Sequence, residues 1–281
     1  MHSQSRFVLR VTALLLLSAL ACSSIVDPVL DPRAVPFQPP PVYARWWSMV
    51  ESCSGLQGSL SDVSWYQVPG SETVAHSGDE VAGYWAYVTN RIVLGGEAIL
   101  DGQVVRHEML HALVRQLKGH PREYFLDRCA GLVVCGPACI ADAGPAPSID
   151  ATIPRVTSEV LKLFVAIEPN PPTSATDAGV FAVIVSATNP NSYPIVVSPG
   201  PNAENHTFFY TLIGPAGGIS GSVDALDSSS RYFAAGETKR QYFDFSISSN
   251  LGARRVPSGS YQLYAGWDTR GVTLEGITIG P

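Results

Sequence analysis

The feature that most limits the fold is a change of character near residue 140. Downstream, from about Leu161 to Ile279, the chain holds only short strand-like runs, at 161–167, 179–188, 206–213, 238–247, 260–267 and 271–279. Turn clusters such as Asn189-Pro190-Asn191, Pro199-Gly200-Pro201 and Pro257-Ser258-Gly259 separate them. Phe243, Phe245 and Ile247 alternate with Tyr242, Asp244 and Ser246, while Tyr261, Leu263, Ala265 and Trp267 fall on one face of another strand. Alternating strands spaced by turns, with no helical spacing between them, predict a β-sandwich over 158–281.

Upstream, helix and strand patterns mix. Tyr43–Cys53 has apolar residues at 43, 46, 47 and 50, a helical spacing. Val63–Val68 alternates as a strand does and runs into the turn Pro69-Gly70. Tyr84–Val88 and Arg91–Leu94 read as two strands joined at Thr89-Asn90. After Gly95-Gly96 the spacing is helical through Leu117, with Lys118-Gly119 as a stop, and a further helix is expected over Pro121–Leu132. Residues 141–157 are rich in Ala and Pro and read as a linker.

The start of the chain is a leader. Arg6 and Arg10 precede the apolar run Val11–Ala21, which falls short of the roughly 20 residues a transmembrane helix needs and reads as a secretory signal over 1–21. Its end, Ser18-Ala19-Leu20-Ala21-Cys22, resembles a bacterial lipobox. That resemblance implies cleavage before Cys22, lipidation of Cys22 and attachment to a bacterial membrane at the cell envelope. The alternative is ordinary cleavage near Ala21, giving a secreted or periplasmic protein. Six prolines between Pro28 and Pro41 make 22–41 a tether, expected to be extended and unpaired. An exporting leader makes disulfides the default for Cys53, Cys129, Cys135 and Cys139. Of the three pairings, Cys53–Cys129 with Cys135–Cys139 is favoured, because the second closes a small loop around Gly136-Pro137. A structural zinc site is the rival, without its usual two-residue Cys spacing. Only 15% of residues are charged, against about 25% in an average soluble domain. The net charge of -6 argues against nucleic acid as a partner.

Three of the six histidines lie between residues 107 and 120, in His107-Glu108-Met109-Leu110-His111 and Gly119-His120-Pro121. Residues four apart share a helix face, so His107 and His111 can aim at one ion, with Glu108 beside it to take a proton from water. This is the HExxH arrangement of zinc metallopeptidases. Val114 and Leu117 stand where a metzincin has Gly and His, which excludes that class. His120 is the favoured third ligand, with Glu123, Asp127 and Glu159 as alternatives. Tyr84, Tyr87 and Tyr124 are candidate donors to an oxyanion, and His76 and His206 read as surface residues.

The string His120-Pro121-Arg122-Glu123-Tyr124-Phe125 after the motif resembles SprT-like and related small zincins. That resemblance implies a zincin-like metallopeptidase domain over 42–140, in which an edge strand from Tyr84–Leu94 holds an extended peptide. Ala235-Gly236-Glu237-Thr238 before Tyr242–Phe245, and Val256–Tyr261 before Trp267, resemble the immunoglobulin-like domain of the BsuPI intracellular proteinase inhibitor. The expected fold is therefore an α+β zincin-like N-terminal domain followed by an all-β immunoglobulin-like sandwich. The expected function is Zn2+-dependent hydrolysis of a peptide or protein substrate at the envelope, with Glu108 activating the water. The alternative is a non-catalytic binding or protease-inhibitor-like protein, with the sandwich as the functional module and the metal site structural or vestigial.

Overall fold

The computed structural model describes residues 29–116, 119–169, 172, 179–199, 206–225, 228–247 and 255–280. The segment expected to be a leader, Cys22 and the first part of the expected tether lie outside them, as do Leu117 and Lys118.

The later part of the tether is folded rather than unpaired. Val35–Pro36 forms strand β1, whose residues pair with Gln67 and Tyr66. Pro36 fits there because an edge strand has one side on which no N–H is needed. Asp31 accepts from the side chain of Arg33 at 2.7 Å and from the backbone N–H of Ala75, fastening the entering chain. Helix α1, Val42–Ser54, buries Val42, Tyr43, Trp46, Trp47 and Val50, as its helical spacing requires.

Strands β2 (Ser64–Val68), β3 (Val74–His76), β4 (Asp79–Val81), β5 (Gly83–Ala86) and β6 (Arg91–Gly95) follow. The sheet order is β1-β2-β6-β5, with β2 and β6 parallel, and β3 and β4 form a separate hairpin. Helix α2, Gly102–Val114, carries the histidine motif, and α3, Pro137–Asp142, closes this part. Alternation on β5 divides its side chains. Tyr84 and Ala86 join a small core with Val68, Val74 and Val93, while Trp85 packs against the larger core of Trp46, Trp65, Ile92, Met109, Leu110 and Phe125.

The remaining strands are β7 (Arg155–Val156), β8 (Lys162–Glu168), β9 (Val180–Thr188), β10 (Ile195–Val197), β11 (His206–Gly214), β12 (Gly217–Asp224), β13 (Tyr232–Phe233), β14 (Thr238–Ser246), β15 (Gly259–Trp267) and β16 (Arg270–Ile279). They form sheets β14-β9-β8, β12-β11-β15-β16 and β13-β10-β7. One core joins them, including Phe181, Phe243 and Phe245 from the first sheet and Tyr210, Leu263 and Trp267 from the second.

The expected α+β zincin-like domain followed by an all-β immunoglobulin-like sandwich is corrected: the chain is mainly β. Among the described residues sixteen strands in five sheets stand against three α-helices, and six of those strands precede residue 140. The physical reason is local. Pro36 of the tether is used in a strand, a β3–β4 hairpin fills 74–81, and the helix expected over Pro121–Leu132 shrinks to a π-helical turn at Glu123–Arg128. Within the linker, Arg155–Val156 pairs with β10. No helix among the described residues is long and apolar enough to cross a membrane.

Candidate metal centre

The site is built on α2. Asp101 caps its N-terminus, the Oδ1 atom accepting from the backbone N–H groups of Gln103 at 3.0 Å and Val104 at 3.2 Å. The helix ends at Arg115, in the left-handed conformation with φ 52°. Gly119 has φ 80°, the region that favours glycine, and this bend returns His120 to the helix face. His107 Nε2 then stands 3.2 Å from His111 Nε2 and 3.2 Å from His120 Nε2, and the ligand atoms of the three all lie within 4.8 Å of one another.

Two hydrogen bonds set the outer faces of these rings. His107 Nδ1 lies 2.6 Å from the Val134 carbonyl, and His120 Nδ1 lies 3.2 Å from Asp142 Oδ2. A carbonyl or carboxylate only accepts, so each Nδ1 carries a proton, and each Nε2 is turned inward toward the other rings. Tetrahedral zinc with Zn–N of about 2.0–2.1 Å separates its nitrogens by about 3.3 Å, so the donor set fits that ion. Burial pushes His107 down to about 4, with the charge of His120 adding to this and the Val134 carbonyl opposing it. His111 is held well below the ordinary histidine range, first by burial and then by His107 and His120. Both imidazoles are therefore in the neutral form a metal needs.

Aromatic rings fix the rest of the triad. The buried Phe125 ring lies 5.0, 4.7 and 5.0 Å from the rings of His107, His111 and His120. The Trp85 indole stacks on His111 at 6.4 Å, with 3° between the planes. Glu108 is buried, and burial pushes its carboxyl up to about 8 against a backbone hydrogen bond from Trp85.

That last bond locates Glu108 relative to the sheet. Gly95 N–H donates to the Ala82 carbonyl, so Tyr84 falls in a hydrogen-bonded pair with Val93 and Trp85 turns its N–H away from β6. β5 is the outer strand of its sheet, and the edge turned away from β6 therefore faces Glu108.

The cysteines hold the site from outside. Cys53 is joined to Cys129, and Cys135 to Cys139. These sulfurs are bonded to each other, so the four thiolates of the rival structural zinc site do not exist here. Glu123 pairs with Arg128, Asp127 with Arg122, and Glu159 is exposed in the C-terminal part. Among the described residues only the three histidines form a metal-sized cluster. Of the tyrosines, Tyr84 is turned into the small core and Tyr124 packs on Arg128, leaving Tyr87 on the Trp85 face of β5. Cys22 lies outside the described residues. The residues missed by sequence reasoning are Trp85, Phe125 as a floor to all three rings, the Val134 carbonyl and Asp142. None follows a spacing rule. Compared with protein-family models, curated proteins and solved structures, this chain matches none.

Proposed function

We propose that the protein is a zinc-dependent hydrolase of peptide bonds. The observation that carries the reading is the convergence of three imidazole Nε2 atoms beside a buried glutamate at the outer edge of β5. His107, His111 and His120 would hold zinc, which when bound supplies Lewis acidity and a water acidified to about neutral pKa.

The chain's own groups account for the remaining chemistry. Beyond the Trp85 N–H that Glu108 takes, the outer edge of β5 offers backbone groups to an extended peptide, so main-chain pairing orders the substrate along the strand. Burial alone pushes the Glu108 carboxyl up to about 8; the charge of a bound cation would hold it ionised, so that it would take a proton from the attacking water and later deliver it to the leaving amine. Trp85 and Phe125 shield the imidazoles from solvent. Residues 1–22 support an envelope location through a lipid on Cys22, with peptides or proteins there as substrates.

Cleavage of a peptide library, with and without chelator, tests the reading against Glu108→Gln. The variant should bind zinc as the parent does and lose about 10²–10⁴-fold in hydrolysis. Hydrolysis at the parent's rate in that variant would show that Glu108 has no part in the chemistry.

A further inference from the structure

The N-terminal part and the C-terminal sheets meet behind the histidine triad through apolar contact, with Val180 and Tyr242 on the N-terminal core, and through a buried ion pair. Arg106, the residue before His107, is fully buried. Its Nη2 and Nη1 donate to Asp244 Oδ2 at 2.7 Å and Oδ1 at 3.1 Å, and its Nε donates to the Leu132 carbonyl at 2.7 Å. Asp244 belongs to β14, 138 residues further along the chain. The guanidinium also faces the rings of Trp46 and Tyr242, at 5.6 and 5.7 Å. A buried ion pair costs several kcal/mol of desolvation per ion, and apolar residues of similar volume often hold two surfaces together as well or better. What the pair adds is direction. The planar fork fixes the rotation of α2 against β14 and against the 131–134 segment at the same time.

A second line of hydrogen bonds runs parallel to it. Gln103 Nε2 donates to the Tyr242 carbonyl at 2.6 Å, Tyr242 N–H to the Gly131 carbonyl at 3.0 Å, and Val134 N–H to the Gln103 carbonyl at 3.4 Å. The segment so held ends in the Val134 carbonyl that sets the His107 ring. On the other flank, Arg122 donates to Ser229 Oγ at 2.8 Å, two residues after His120. The close approach also dictates glycine on α2 and on the segment. A Cβ on Gly102 would stand 2.7 Å from the Asp244 carboxyl carbon, and one on Gly131, at φ 77°, would collide with the Arg240 carbonyl.

We propose that the C-terminal sheets are a working part of the metal site, with Asp244 as its positioning residue, acting through Arg106 on α2 and the 131–134 segment to aim His107. The inference rests on the metal reading of the triad, but not on its turnover.

The test uses the full chain and four forms: parent, Asp244→Asn, Gly102→Ala, and Leu212→Ala as a control. Leu212 is buried in the opposite sheet, away from the contact. Zn2+ and Co2+ affinities are measured by chelator competition, together with the visible spectrum of bound Co2+ and the unfolding midpoint. Asp244→Asn and Gly102→Ala should each lose at least about tenfold in affinity, the scale of outer-shell losses, and shift the Co2+ spectrum while still folded. Leu212→Ala should lower the midpoint and leave the affinity within about twofold of the parent, on the same scale of comparison. Gly102→Ala removes neither charge but drives a Cβ between Arg106 Nη1 and the Asp244 carboxylate, and alanine suits a helix, so it decides the matter if Asp244→Asn does not fold. Unchanged affinity in the folded variants, or an equal loss in Leu212→Ala, overturns the proposal. A parent that binds no metal overturns both this proposal and the hydrolase reading. A parent that binds metal but cleaves nothing removes only the latter, and the affinities still decide the former.

Discussion

The two disulfides should separate stability from metal binding. Cys53–Cys129 spans 76 residues and Cys135–Cys139 spans 4. On the chain-entropy estimate, the first restricts the unfolded chain by about 4.5 kcal/mol and the second by about 2 kcal/mol. Their positions order metal affinity the other way. Cys135 follows Val134, whose carbonyl sets His107, and Cys139 lies in α3 with Asp142, which sets His120. The small loop therefore ties together the outer partners of two ligands, and loss of such partners costs about 10–100-fold in metal affinity, or about 1.4–2.7 kcal/mol of binding. The long-range bridge joins α1 to the chain just past the Phe125 turn and orients neither ring nitrogen. Paired Cys→Ser variants, followed by urea unfolding of the metal-free chain and by zinc titration against a chelator, read both quantities. The expected result is a crossover. The 53/129 variant should be much less stable, with near-parental affinity at temperatures where it is folded. The 135/139 variant should be modestly less stable and bind zinc at least about tenfold more weakly. If the 53/129 variant is the weaker binder of the two when both are folded, the positioning role given to Val134 and Asp142 is wrong.

Three further outcomes follow from the same geometry. Asp101→Ala removes the acceptor for two N–H groups at the start of α2, and should cost about 0.5–2 kcal/mol in chemical unfolding. Phe125→Ala empties the floor beneath all three imidazoles and should cost about 3–5 kcal/mol; Phe125→Leu, which keeps most of the volume, should recover much of that loss in the same assay. The hydrogen bonds from Arg33 hold the Asp31 carboxyl well below the usual range, so its stabilising effect is complete above the unfolded value of about 4 and fades as pH falls through the lower folded value. Unfolding of parent and Asp31→Asn should thus differ by a constant amount at pH 6–8 and converge below about pH 4; a gap that widens toward acid would contradict this sign.

The residues readable from sequence share one property: their geometry is set within a few positions of chain. His107 and His111 are four apart on one helix, and the helix period alone brings their rings together. The long C-terminal strands were likewise visible because side-chain alternation is a local record of burial. β2, β5 and β6 were readable in the same way, but several strands carry no such record. β12 is Gly-Gly-Ile-Ser-Gly-Ser-Val-Asp and largely exposed, so no alternating apolar face marks it. β1, β7 and β13 have two residues each, too few for any period, and exist because a neighbouring strand supplies hydrogen bonds. The mistaken balance of helix and strand came from these, and from a helix expected after Pro121 that the chain abandons within two turns. Within the site the same division holds. A main-chain carbonyl such as that of Val134 has no letter in the sequence, and Asp142 is separated from His120 by 22 residues and a disulfide loop. Arg106 shows most clearly why this matters. Read locally, it is one cation on the helix that carries the motif, on no special face. Buried and bound to a carboxylate from the far sheets, it makes the direction of a local motif depend on the packing of the whole chain.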